Sequence, residues 1–109
     1  MLRTDQEVKD LASKYLELVS KAFFIQKMYL FGSYAKQRAT RDSDIDIALV
    51  SSDFEGIPYE SLLKILFKMA RNIDPIIEVI PLNKDEFENP DQGSVAVDIK
   101  KEGILLFQR

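Results

Sequence analysis

Apolar residues at Val8, Leu11, Ala12, Tyr15, Leu16, Val19, Ala22 and Phe23 return every three or four positions, the spacing that lines one face of a helix. Thr4, three residues ahead of Glu7, offers a capping box at its start. The period then changes. Residues 28–31 form an apolar run halted by Gly32, which predicts a first strand, followed by a short helix from Ser33 to about Arg38 and a loop over 39–43. Residues 45–50 read as a second, buried strand. Gly56 and Pro58 announce a helix whose apolar positions Leu62, Leu63, Ile65, Leu66, Phe67, Met69 and Ala70 are broad enough to predict that most of it is buried. Pro75 ends that helix, and residues 76–80 predict a third strand. Asn83 with Glu86 suggests a short capped helix, and Asn89-Pro90 a turn. Val95, Ala96 and Ile99 mark a last helix ending at Gly103, a residue type favoured as a C-terminal cap. Residues 104–107 predict a short edge strand. No repeat, linker or low-complexity tract interrupts this order, so the expectation is one α/β unit over residues 1–109.

The pattern also constrains topology. Ser33 leaves the end of the first strand, whereas Asp44 and Asp46 stand at the beginning of the second. A shared site requires these two strands to run antiparallel. The long helical crossover to the third strand favours a parallel connection, which sets Glu78 beside Asp44 and Asp46. The fold class expected is therefore α/β (α+β), a small mixed sheet with helices packed on it.

Composition narrows the chemistry. Apolar residues make up 46% and charged residues 30% of the chain, as in globular rather than disordered proteins. Residues 1–5 lack the apolar core of a leader peptide, and no run approaches membrane-spanning length, so a cytoplasmic location with no membrane partner is expected. With no Cys and no His, thiolate catalysis, cysteine zinc sites and imidazole bases are excluded. Catalysis would rest on carboxylates, lysines, hydroxyls or a hard metal ion. A net charge of −3 argues against strong nucleic-acid binding.

Asp44 and Asp46 alternate with Ile45 and Ile47, so both point to the same side of a strand, roughly 6–7 Å apart. Acids at a strand entrance are often merely solvated. Asp46 fits that description poorly, because the apolar run continues past it. Paired carboxylates at the mouth of a hydrophobic sheet resist desolvation unless a cation lies between them, and hard oxygen ligands suit Mg²⁺. The run from Asp42 to Asp46 imitates the start of a calcium loop. That reading fails, since the required Gly and Glu positions hold Ile47 and Asp53. Glu78 is the only charge among residues 76–82 and is the third candidate ligand. Gly32 and Ser33 could present amides and a hydroxyl to phosphate. Lys36, Arg38 and Arg41 follow in the intervening segment, where a solvated loop and a triphosphate contact are equally good accounts. Tyr29, Phe31 and Phe67 read as core residues rather than platforms for a base.

Gly32 and Ser33, a ten-residue spacer, then Asp44-Ile45-Asp46 together resemble the signature of the DNA polymerase β-like nucleotidyltransferase superfamily, and the chain is most similar to its minimal nucleotidyltransferase (MNT) branch. The order of helices, strands and acids extends the likeness over most of the chain. Gln37 stands where many relatives carry Gly, and Glu78 where Asp is common. The resemblance implies two Mg²⁺ ions about 3.5–4 Å apart on Asp44 and Asp46. It also implies that Glu78 completes the acceptor side and helps deprotonate the attacking hydroxyl, with Gly32 and Ser33 on the triphosphate. AMP would pass from ATP to a hydroxyl, releasing pyrophosphate. Free-standing MNT proteins resemble the antitoxin half of HEPN/MNT modules, some of which adenylylate a tyrosine of their HEPN ribonuclease partner. A HEPN toxin is thus the expected partner. A non-catalytic module that masks such a partner, and a transferase acting on a small molecule or RNA, are the alternatives.

Overall fold

The computed structural model describes residues 2–109; Met1, the first residue of the segment read against a leader, lies outside them. Helix α1 (Asp5–Val19) opens with the anticipated capping box: Glu7 N–H donates to Thr4 Oγ1, and Thr4 N–H to Glu7 Oε1. The helix ends at Val19, before Ala22 and Phe23, and Phe23 packs edge-on against Phe54 at 5.2 Å. Strand β1 (Lys27–Phe31) leads into α2 (Gly32–Ala35). Then come β2 (Ile45–Ser51), a single 3₁₀ turn (Ser52–Phe54), α3 (Tyr59–Arg71) and β3 (Ile77–Asn83). Helices α4 (Lys84–Glu88) and α5 (Val95–Glu102) and strand β4 (Ile104–Gln108) complete the order.

The sheet order is β3-β2-β1-β4. β1 is antiparallel to both β2 and β4, while β2 and β3 are parallel, joined through α3. This is the mixed sheet expected from the pattern. The third strand runs three residues beyond the predicted Ile80, through Pro81. A proline is tolerated there because β3 is an edge strand and has one side free of ladder partners.

Alternation along β2 separates two apolar layers. Ile45, Ile47 and Leu49 join Val8, Ala12, Tyr15 and Val19 of α1 and Leu62, Leu66 and Ala70 of α3 in the larger core. The Tyr15 hydroxyl donates to the Leu66 carbonyl at 2.9 Å, tying these helices together. Ala48 and Val50 face the other way, onto Leu82, Phe87, Ala96 and Ile99 under α4 and α5. With helices on both faces, β2 is buried along almost its whole length and reads as an unbroken apolar run.

Two further expectations need correction. α3 buries only the stripe of Leu62, Leu66 and Ala70, and Ile65 is 40% exposed, because one face of this helix meets the sheet and the opposite face meets solvent. α2 stops at Ala35 rather than near Arg38, because Gln37 adopts φ 59° and Arg38 N–H closes back on the Ser33 carbonyl at 2.9 Å, a Schellman-type ending. Gly103 does end α5, but in an extended conformation (φ −73°, ψ 156°). Its missing side chain matters for space: a Cβ would lie 2.5 Å from the Ile99 carbonyl oxygen.

Candidate active site at the open end of the sheet

Register brings the acids together. Asp46 is paired with Phe31 of β1 on one side and with Glu78 of β3 on the other. Asp44 lies two residues before Asp46, just ahead of β2. It is delivered by a turn in which Thr40 N–H donates to Ser43 Oγ at 2.8 Å and Ser43 N–H to the Thr40 carbonyl at 3.1 Å. Asp44 and Glu78 are exposed and Asp46 is partly buried.

The electrostatics are those of like charges crowded at a desolvated strand end. Asp46 is pushed up to about 6, first by burial and then by the charges of Glu78 and Asp44. Glu78 is also raised, by burial, by the Asp44 charge and by a hydrogen bond shared with the Asp44 side chain. Among the described residues no three acids are gathered into a finished metal-ligand group, so what the trio provides is proximity, shared charge and oxygen donors. That donor set fits a hard divalent cation.

Gly32 begins α2 at φ 72°, and a Cβ there would collide with Asp46 Oδ2. Glycine is required on two counts: the left-handed backbone and the carboxylate lying against its Cα. Ser33 follows within α2, partly buried. The basic candidates do not all gather here. Lys36 makes an ion pair with Glu102 of α5 at 2.8 Å, and the charge of Arg38 also helps hold the Glu102 carboxyl below its ordinary value, behind the larger effects of Lys36. Arg41 is exposed in the loop before Asp44.

Two features were not anticipated from the sequence. Arg3 N–H donates to the Tyr34 hydroxyl at 3.2 Å, while its guanidinium pairs with Asp74 at 2.7 Å; Asp74 in turn accepts from Ile76 N–H. Through Arg3 this chain of contacts ties α2 to the start of β3, and Arg3 and Asp74 stand 71 positions apart, a separation no local pattern reveals. The second is a cavity of about 240 Å³ beside Gly32, walled by α5 and Phe31. Phe31 packs on the smaller core, as expected, but also borders this space. The recurrence of Val95, Asp98, Ile99 and Glu102 along one helical face was the only sequence trace of it.

The family described as polymerase beta nucleotidyltransferase matches residues 13–109. The chain belongs to that family. As a nucleotidyltransferase it has relatives of similar length. One is the Methanocaldococcus jannaschii protein MJ0604, provisionally named a protein adenylyltransferase, which is 33% identical over 76% of this chain and 79% of its own. Protein adenylyltransferase MntA of Thermococcus cleftensis is 35% identical over 58% of this chain and 59% of its own. A Sulfolobus solfataricus crystal structure, provisionally described as a nucleotidyltransferase, shares the fold with a TM-score of 0.71 at 22% identity, covering 94% of this chain and 82% of that one. A toxin–antitoxin crystal structure with AMP-PNP aligns with a TM-score of 0.59 at 24% identity, over 93% of this chain and 73% of that one. In this nucleotidyltransferase, no helix among the described residues is long and apolar enough to cross a membrane.

Proposed function

We propose that this nucleotidyltransferase moves AMP from ATP to a hydroxyl group of a protein, acting as the antitoxin of a two-component module whose toxin supplies the acceptor, a tyrosine of a HEPN-type ribonuclease. The convergence of Asp44, Asp46 and Glu78 beside the obligatory Gly32 carries this reading. Support for the protein acceptor comes from the relatives named protein adenylyltransferases and from the toxin–antitoxin assembly with AMP-PNP. The whole chain is read as one catalytic domain.

Asp44, Asp46 and Glu78 would hold Mg²⁺, two ions by analogy with other transferases of this chemistry, and when bound the metal would neutralise charge on the phosphates and on the departing pyrophosphate. The chain's own groups do the rest. Gly32 and Ser33 offer backbone N–H and hydroxyl donors to the triphosphate from the first turn of α2, and close approach is open because Gly32 has no side chain. Glu78, its carboxyl raised by burial and then by the Asp44 charge, is suited to accept the proton of the attacking hydroxyl. The fixed register of β2 on β3 holds the acids in place before substrate arrives, so positioning and charge complementarity supply most of the rate. Arg38 and Arg41 are assigned to the rim of the triphosphate site, with Lys36 shared between that rim and Glu102.

The test is label transfer. ATP labelled at the α-phosphate, Mg²⁺, this protein and the toxin encoded beside it should yield labelled toxin, and γ-labelled ATP should not. The Asp44→Asn/Asp46→Asn variant should transfer at least a hundredfold less. A variant that labels as well as wild type would overturn the assignment of the acids. Neutralisation of the toxin without any label from wild type would identify a masking module instead.

A further inference from the structure

Arg3 stands just ahead of α1, yet its two bonds reach the two halves of the candidate site. Its backbone N–H donates to the Tyr34 hydroxyl at 3.2 Å, and Tyr34 follows Ser33 in α2. Its guanidinium meets Asp74 Oδ2 at 2.7 Å. Asp74 in turn holds the backbone that carries the acids. Its Oδ1 accepts from Ile76 N–H at 3.0 Å and its carbonyl from Ile77 N–H at 3.2 Å, and Glu78 is the next residue. The Ile76 carbonyl then accepts from Ile45 N–H at 2.9 Å, between Asp44 and Asp46. We propose that Arg3 is a positioning residue for nucleotidyl transfer, a brace that fixes α2 and its phosphate donors relative to the three acids. The inference rests on the nucleotidyl-transfer reading and adds to it what sets the spacing between the site's two halves.

α2 needs an outside hold. It has four residues, too few to fix its own orientation through helical hydrogen bonds, and no side chain caps its start. Its anchor is Tyr34, whose ring is buried in the larger core and whose hydroxyl is met by Arg3. The ion pair is poorly suited to a purely stabilising role. The Arg3 and Asp74 side chains keep 26% and 16% of their surface exposed, and a partly solvated pair adds little to stability. What the pair does supply is direction. Asp74 divides its carboxylate between Arg3 and the backbone leading into β3, so a displacement of Arg3 passes to the residues before Glu78.

The two bonds act in series, so cutting either should cost as much as cutting both. The assay is transfer of α-label from ATP to the toxin encoded beside this chain, run well below each variant's melting point, with circular dichroism reporting that each is folded. Arg3→Ala should lower kcat about tenfold and leave KM for ATP within about twofold, because donors and acids are all present but misaligned. Tyr34→Phe, which keeps its ring in the core and loses only the hydroxyl, should do the same. Arg3→Lys retains a cation for the single contact with Asp74 and should hold kcat within about threefold of wild type. The double variant Arg3→Ala/Tyr34→Phe should fall no further than either single variant. Losses that multiply to about a hundredfold in the double variant would mark two independent effects and overturn the brace. So would unchanged kcat in the folded single variants, or a raised KM with kcat kept; each leaves the transferase reading standing. Failure of wild type to transfer label would overturn that reading and the brace with it.

Discussion

Towards its C-terminal end β2 places Ala48, Leu49 and Val50 out of reach of solvent, whereas at its start Asp46 stays partly open beside Glu78 and behind Asp44. The strand geometry and the neighbouring strands are the same at both ends. The far end gains from burial on both faces, each fully buried aliphatic side chain contributing about 1.5–3 kcal/mol. The near end gathers like charges in a place that disfavours ionisation, and Asp46 rises to about 6 as a result. One end of the strand holds the sheet together, and the other keeps an electrostatic tension that a cation and a nucleotide can relieve.

Breaking the stable end should have the largest effect on folding. Leu49→Ala removes a fully buried side chain between the sheet and the α1–α3 layer and should cost about 2–5 kcal/mol, read from urea unfolding. Transfer activity measured below the new melting point should change little, since Leu49 faces away from the acids.

Breaking the charged end with Gly32→Ala should reverse that balance. A Cβ on a left-handed backbone, aimed at Asp46, should destabilise by about 1–3 kcal/mol. It should also cut transfer about a hundredfold by displacing a carboxylate from its working position. A variant with normal kcat would show that the Gly32–Asp46 approach has no functional role.

A smaller effect sharpens the comparison at the turn between the two regions. Gln37 adopts φ 59°, a conformation that glycine takes without steric cost. Gln37→Gly should raise stability by up to about 1 kcal/mol, seen as a modest rise in Tm. A fall in Tm would mean that the Gln37 side chain makes contacts worth more than the strain.

Much of this was legible in the sequence because the two periods are clean. The helical spacing of α1, the capping boxes at Thr4 and Asn83, and the apolar runs on either side of Gly32 are local signals, and they settled strand directions once Ser33, Asp44 and Asp46 were required to meet. Placing Glu78 against Asp46 followed from that topology. What escaped depends on distant partners or on space. The departure from glycine at position 37 was visible, but that the residue there ends α2 in a left-handed conformation was not. Lys36 turns to Glu102, and the Arg3–Asp74 pair spans most of the chain. The extent of burial of α3 was overestimated because an apolar stripe does not say how much of it the sheet can cover.

The charged end also predicts a pH response. Asp46 has a native value of about 6 against an ordinary 3.8, so the stabilising contribution is present below 3.8 and is lost as pH rises through about 6, where the folded state is forced to ionise. Without metal, wild type should lose stability across that interval, and Asp46→Asn should flatten the Tm profile there.

The most direct measurement compares the melting temperatures of wild type and Asp46→Asn at neutral pH, first in chelator and then with Mg²⁺ and AMP-PNP. The account predicts an inversion: the variant melts higher in chelator, because it lacks a carboxylate that resists ionisation, and lower with metal and nucleotide, because only wild type gains from binding them. The same order under both conditions would contradict the claim that this end of the sheet is built for a cation and a nucleotide.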